Sequence, residues 1–230
     1  MSCLSISNQS LNVFTSPYIG ENMYLIIKED KALVIDPNSS EEALQLLKDK
    51  NVKEITIFLT HEHPDHTCGV PVLQKYFNTI LICQRKCALQ IAEKRNNRPI
   101  LVAFVLAIQD EKNGTHTEQE FIKNFEEYAC YADITFEDDF IYNWQDEQFI
   151  FHYIPGHSQG SCCIIWNDKA VFTGDSLLKD IPVITRFPGG SSKQYNQVTR
   201  PYLNMLPDDI CVLPGHGDIF VMKEVREKIA

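Results

Sequence analysis

The sequence predicts an α/β fold with one helical insertion. Strand-like apolar runs alternate with helix-period segments over the first eighty residues, β patterns return after residue 136, and four of the apolar runs end in a turn bearing histidine or aspartate. Alternation of this kind builds layers of helix on sheet.

In chain order, residues 23–27 and 32–35 are β-rich runs separated by the polar Lys28-Glu29-Asp30-Lys31, which reads as an antiparallel hairpin. Ser39-Ser40-Glu41-Glu42 offers a cap before Ala43, Leu44, Leu46 and Leu47, apolar positions that fit one side of a helix ending near Asn51. Residues 55–59 form a buried strand, a helix begun near Asp65 runs on through 73–77, and residues 80–83 return as a strand. Residues 86–95 look helical and Pro99 breaks that helix. An apolar run to Ile108 follows, then a polar turn and Thr117-Glu118-Gln119-Glu120, a capping-box pattern before a helix through Ala129. These segments make residues 85–135 a helical insertion within a single domain spanning 1–230. Strands are expected again at 140–144, 149–154, 162–166, 170–173 and 210–213, with a helix near 194–205 and a closing helix over 222–229.

Composition narrows the function. The 230 residues carry a formal net charge of −10, which disfavours a surface for phosphate backbones, since that needs clustered Lys and Arg. No nucleic-acid partner is expected. The longest apolar run, 100–108, is about half the ~20 residues of a membrane helix, and residues 1–15 carry no secretory pattern. We therefore expect a cytoplasmic protein with no membrane partner. Eight cysteines without a Cys-x-x-Cys unit read as reduced, mostly buried thiols. Asn113-Gly114-Thr115 spells a glycosylation acceptor but reads only as a turn.

The chemistry lies at the strand ends. The strand at 55–59 runs into Thr60-His61-Glu62-His63-Pro64-Asp65-His66, three of the chain's seven histidines with a carboxylate among them. Residues two apart in an extended stretch point the same way, so His61 and His63 can reach one metal, while Asp65 and His66 approach from the next helix. Two neighbouring metals suit this better than one. Pro155-Gly156-His157-Ser158, Gly174-Asp175-Ser176 and Pro214-Gly215-His216-Gly217 repeat the pattern of strand followed by a metal-competent residue. A lone Gly-His or Gly-Asp is ordinarily just a turn. Imidazole and carboxylate at close spacing are usual metal ligands, and four such segments in order point to one site. His116 and His152 fall outside the pattern and read as surface or packing residues.

The run His61-x-His63-x-Asp65-His66, with Pro-Gly-His157-Ser-x-Gly-Ser, Thr-Gly-Asp175-Ser-Leu and Leu-Pro-Gly-His216-Gly, resembles the metallo-β-lactamase superfamily, its glyoxalase II-like (hydroxyacylglutathione hydrolase-like) branch above all. Glu21-Asn22-Met23-Tyr24-Leu25, Val34-Ile35-Asp36-Pro37 and Arg186-Phe187-Pro188-Gly189-Gly190 before Leu206-Pro207-Asp208-Asp209 are similar to that branch too. The resemblance implies an αββα four-layer sandwich with the metals at one edge of two sheets. It also implies that His61, His63 and His157 hold one ion, that Asp65, His66 and His216 hold the other, and that Asp175 bridges them. Asp65 and Asp175 are the carboxylates expected to serve catalysis. The expected cofactors are two divalent ions, zinc first, with iron or manganese accepted by the same donors. Aspartate rather than cysteine at 175 sets the chain apart from enzymes that open β-lactams with a Cys ligand, so resistance activity is not expected.

The leading expectation is a hydrolase in which metal-activated hydroxide attacks a thioester, ester or lactone carbonyl of a small acyl substrate, a glyoxalase II-like thioesterase first. Alternatives are a mononuclear iron oxidoreductase resembling persulfide dioxygenases and a non-catalytic binding protein on the same fold. True glyoxalase II follows its last histidine with a helical domain that grips glutathione, whereas here fourteen residues (217–230) follow His216. The insertion, with its apolar run and Phe121, Phe125, Tyr128 and Tyr131, is the expected cover of the cleft, or else a packing or dimer element. Thr60, Ser158, Ser161 and Thr173 are the hydroxyls near enough in sequence to steady the candidate ligands.

Overall fold

The computed structural model describes residues 2–6 and 9–229. Its first sheet contains β1 (Ser2–Ile6), β2 (Gln9–Thr15), β3 (Asn22–Lys28), β4 (Lys31–Ile35), β5 (Glu54–Phe58), β6 (Asn78–Gln84) and β7 (Ile134–Phe136) in that spatial order. The second runs β13 (Phe220–Val221), β12 (Cys211–Pro214), β11 (Ala170–Gly174), β10 (Cys162–Trp166), β9 (Glu147–Tyr153) and β8 (Phe140–Trp144). The strands from β4 to β7 are parallel, as are β11 and β12, and the remaining pairs are antiparallel.

Side chains two apart in a strand share a face. Thus Tyr24 and Ile26 of β3, Leu33 and Ile35 of β4, and Phe58 of β5 meet Phe149, Phe151, Ile164, Trp166, Phe172 and Leu213 of the second sheet in the central core. Their neighbours Met23, Leu25, Ala32, Val34, Ile55 and Ile57 face the other way, onto Ala43 and Leu47 of α1 (Glu41–Asp49), Val70 and Leu73 of α3 (Val70–Tyr76) and Cys87 and Ile91 of α4 (Arg85–Ile91). On the second sheet Cys163, Val171 and Val212 face Leu203 of α8 (Arg200–Met205) and Ile229 of α9 (Arg226–Ile229). The result is the expected αββα sandwich. Central strands covered on both faces read as continuous apolar runs, which made them recognisable.

Departures from the expected elements have local causes. β1 and β2 were not expected at all; β1 is an edge strand whose residues are mostly exposed. The helix expected from Asp65 to residue 77 is split into α2 (Pro64–Thr67) and α3, because Gly69 sits against another loop. A Cβ there would stand 2.1 Å from the Asn38 carbonyl oxygen, and the Gly69 amide donates to the Pro37 carbonyl at 2.8 Å. The helix near 194–205 starts earlier, as α7 (Ser192–Gln194), and passes through a π turn at Tyr195–Thr199 before α8. The closing helix is a 3-10 turn, Met222–Glu224, followed by α9.

Between β6 and β7 lie α4, α5 (Pro99–Asn113) and α6 (Thr117–Asn124). Of the apolar run, the side chains of Ile100 and Leu101 lie outside the described residues. Pro99 opens α5 rather than breaking a helix, as its fixed φ allows in the first turn, and Gly114 closes it at φ 68°. The predicted capping box is not made. Asp110 of α5 instead accepts the Glu118 amide at 2.8 Å and the Thr115 hydroxyl, so α5 caps α6. α6 stops at Asn124, short of Ala129: Phe125 turns back to stack on Phe121 at 4.3 Å and meet Tyr18 edge-on, while the Tyr128 hydroxyl reaches the Pro64 carbonyl at 3.1 Å and Thr67 Oγ1 at 2.7 Å.

Candidate metal centre

Every candidate ligand follows the C-terminal end of a strand: His61 to His66 follow β5, His157 follows β9, Asp175 follows β11 and His216 follows β12. Strands of both sheets thus deliver their loops to one edge, where layered α/β folds form their ligand crevices.

The structure brings all seven predicted residues together. His61 Nε2 and His157 Nε2 stand 3.1 and 3.0 Å from His63 Nδ1. In the second group Asp65 Oδ2 lies 3.5 Å from His66 Nε2 and 3.2 Å from His216 Nε2. Asp175 lies between the groups, with Oδ2 3.6 Å from His157 Nε2 and 3.5 Å from His216 Nε2 and Oδ1 3.5 Å from His66 Nε2. Each triad has ligand atoms close enough to hold an ion.

Hydrogen bonds to the outer ring nitrogens fix which nitrogen faces inward. The backbone amide of Thr60 donates to Asp36 Oδ1 at 2.7 Å and its hydroxyl to Asp36 Oδ2 at 2.6 Å, which leaves Thr60 Oγ1 to accept from His61 Nδ1 at 3.0 Å. His66 Nδ1 donates to Asp36 Oδ2 at 3.1 Å, His157 Nδ1 to the Ile184 carbonyl at 2.8 Å and His216 Nδ1 to the Ile19 carbonyl at 3.1 Å. All four Nε2 lone pairs therefore point into the centre.

That arrangement suits a cation. His61 and His157 both aim lone pairs at His63 Nδ1, which can donate one proton at most. Among the described residues His66 Nε2 and Asp175 Oδ1 are buried without a well-formed hydrogen bond, a costly state that a proton or a metal ion between them would relieve. Imidazole nitrogens around a tetrahedral zinc stand ~3.3 Å apart, from a Zn–N distance of ~2.0–2.1 Å, and the first triad is near that spacing.

The electrostatics divide the site. Burial, then the other imidazoles, push His61 well below the usual histidine value; burial and His157 take His63 down to about 3; burial also lowers His157. Burial opposes charge on His66 and His216 as well, but the nearby carboxylates outweigh it and raise both. Against the same opposition from burial, His66 and His216 pull Asp65 down to about 2, and the histidines hold Asp175 well below the carboxylate range. The metal-free protein should lose stability on both sides of neutrality. The contribution of His63, complete above 6.5, is lost as pH falls toward about 3; that of His66, complete below 6.5, is lost as pH rises through its raised value. Because the carboxylates raise the proton affinity of His66 and His216, zinc loading should release protons, measurable in weakly buffered titrations.

Several neighbours were missed or misjudged from sequence. Asp36, quoted only within a resemblance motif, anchors both His66 and Thr60, and its backbone is left-handed at φ 50°. Of the four hydroxyls singled out, only Thr60 reaches a candidate ligand. Ser158 donates to Glu62 Oε2 at 2.8 Å and shares a 2.8 Å contact with Ser161, and Thr173 donates to the Leu177 carbonyl, because each has a nearer acceptor than a ring. Glu62, buried between His61 and His63, ties their loop to that of His157 by also accepting the Gly160 amide at 3.3 Å. Asn22 and Tyr24 hold the His216 loop through the Pro214 carbonyl at 3.3 and 2.7 Å. Beside it, burial raises the Glu21 carboxyl well above its usual range. His152 pairs with Asp139 at 2.9 Å and His116 precedes α6 without a side-chain capping bond, both away from the centre.

Gly215 makes the close approach possible. A Cβ there would stand 2.2 Å from Asp175 Oδ1 and 2.7 Å from His66 Cε1. Gly215→Ala should therefore reduce bound metal and cost about 1–3 kcal/mol of stability, the usual range for overpacking, as read by metal analysis and denaturant melts.

The centre opens into a cavity of about 420 Å³. Its walls come from the insertion (Gln90, Arg95, Asn96, Val102 and Val105) and from the segment after β11 (Leu178, Ile181, Pro182, Ile184, Phe187 and Pro188), with Ile19 and Glu62 beside the candidate ligands. The insertion thus faces the cleft through two valines of the apolar run. Its aromatic residues do not: Phe121 and Phe125 pack on Tyr18, Tyr128 braces α2, and Tyr131 is exposed. Among the described residues no helix is long and apolar enough to cross a membrane.

Comparison with known proteins gives a consistent family. The profile described as the metallo-beta-lactamase superfamily matches residues 18–216. A probable metallo-hydrolase of Streptococcus pyogenes is 26% identical over 200 residues, 86% of this chain and 79% of that protein. A hydroxyacylglutathione hydrolase of Pelagibacter ubique is 28% identical over 199 residues, 84% of this chain, and the chain spans only 65% of its length. The crystal structure of the BLEG-1 B3 metallo-beta-lactamase superposes with a TM-score of 0.74 at 21% identity, over 94% of this chain and 96% of that one, a likeness of fold.

Proposed function

The chain belongs to the metallo-beta-lactamase superfamily, and on that premise we propose that it is a metal-dependent hydrolase of small acyl thioesters, esters or lactones, a glyoxalase II-like thioesterase first among these. The observation that carries the reading is the pair of triads, His61/His63/His157 and Asp65/His66/His216, with the Asp175 carboxylate facing both. These seven residues would hold two divalent ions, zinc foremost. Such ions, when bound, polarise an acyl carbonyl and lower the pKa of water toward neutrality.

The protein's own groups do the rest. Asp36, Thr60 and the carbonyls of Ile184 and Ile19 keep four imidazoles in one tautomer, so the donor atoms need no rearrangement as the reaction proceeds. Asp65 and Asp175, both held ionised, would offset part of the positive charge that the ions bring. Val102, Val105, Ile181 and Ile184 exclude bulk water from the carbonyl and receive the hydrocarbon part of the substrate. The Pelagibacter relative supports a thioester, but the chain spans about two thirds of it, so its thiol specificity is not carried over.

Protein purified without chelator should carry two divalent ions per chain and turn over members of a thioester panel. One iron with oxygen consumption would replace this reading with the oxidoreductase. Neither metal nor turnover would leave a binding protein.

A further inference from the structure

We infer that the cleft selects substrates in which an apolar stretch separates the acyl carbonyl from an anionic group, and that Arg95 is the residue that recognises the anion. This rests on the hydrolase reading above and extends it to substrate class. Among the described residues lining the cleft, Arg95 is the only arginine or lysine, in a chain whose net charge is −10. Its guanidinium is not consumed by the fold. Its side chain is 72% exposed, and among the described residues the one carboxylate it meets is Glu93, at 3.8 Å from Nε, beyond hydrogen-bond distance.

The neighbouring amides are arranged to help. Asn96 Nδ2 donates to Gln90 Oε1 at 2.8 Å and to the Gln90 carbonyl at 3.1 Å. That bond engages the acceptor end of Gln90 and leaves its Nε2 hydrogens as donors in the same cavity wall. An arginine fork beside free amide hydrogens is a receptor for carboxylate or phosphate oxygens. The centre and this wall belong to one cavity, and Val102 and Val105 form its apolar lining. An acyl thioester with a short hydrocarbon spacer and a terminal anion fits all three features.

The test uses non-hydrolysable thioethers, so that binding is read apart from turnover: S-hexyl-mercaptopropionate, its neutral carboxamide, and a counterpart with phosphate in place of the carboxylate. Calorimetric titration of the metal-loaded protein should show an anion binding about five- to tenfold more tightly than the carboxamide, the scale of one partly exposed charge-assisted contact. Phosphate above carboxylate, or the reverse, tells which anion the site takes. Arg95→Gln should abolish the preference and Arg95→Lys should keep part of it. Arg98→Gln, which removes a cation paired with Glu127 outside the cleft, should leave the preference intact. Equal binding of acid and carboxamide, or a preference that survives Arg95→Gln because the anion sits on the metals, overturns the inference. Anion-selective binding without hydrolysis of any thioester would instead overturn the hydrolase reading and leave the anion site standing.

Discussion

Asp175→Ala should abolish turnover of a thioester panel and lower bound metal below one ion per chain. The Asp175 carboxylate faces both triads at 3.5–3.6 Å, so its loss removes the one anionic group shared by the two positions. His66, His216 and His157, whose Nε2 atoms all face that carboxylate, would then converge with less negative charge between them, and metal should leave first. We expect a fall in kcat of at least ~10³-fold, the upper range for removing one preorganised electrostatic group. Metal analysis by mass spectrometry, beside initial rates, checks both halves. Full activity with two ions retained would remove Asp175 from its bridging position.

Asp36→Asn should weaken metal binding ten- to a hundredfold, the range for residues that orient a ligand without touching the ion, while the fold survives. Asp36 accepts three hydrogen bonds, from the Thr60 amide and hydroxyl and from His66 Nδ1, and the single oxygen of an amide cannot replace its two. Asparagine tolerates the left-handed backbone at φ 50°, so this change tests the acceptor atoms and not the turn. Competition with a chromophoric chelator reads affinity, and thermal melts of the metal-free variant report the fold. Unchanged affinity would mean that His66 is oriented by packing alone.

The centre was legible in the sequence to an unequal degree. His61, His63, Asp65 and His66 announced themselves by density, and His157, Asp175 and His216 by recurring at glycine turns after strands. Asp36 gave no such signal, because one aspartate after a strand is indistinguishable from a turn residue. The carbonyls of Ile19 and Ile184 carry no side-chain mark at all; only tertiary structure brings them to His216 and His157. In the fold, the central strands were read from their unbroken apolar runs, and Leu11 and Val13 of β2, alternating toward the core, are the signal that was overlooked. β1 had little to offer, since its residues are mostly exposed. The break at Gly69 depends on the approach of Pro37 and Asn38 from another loop, which helix periodicity does not encode.

His61, His63, Asp65 and His66 leave the first sheet, while His157, Asp175 and His216 leave the second. An ion shared among them would be a clasp at one edge of two sheets that otherwise meet through the central core, closing loops of the chain that run from residue 61 to residue 216. Unfolding must open that clasp, so free metal in the surroundings opposes it by mass action, and stripping the metal is expected to loosen the whole sandwich along with its catalytic edge.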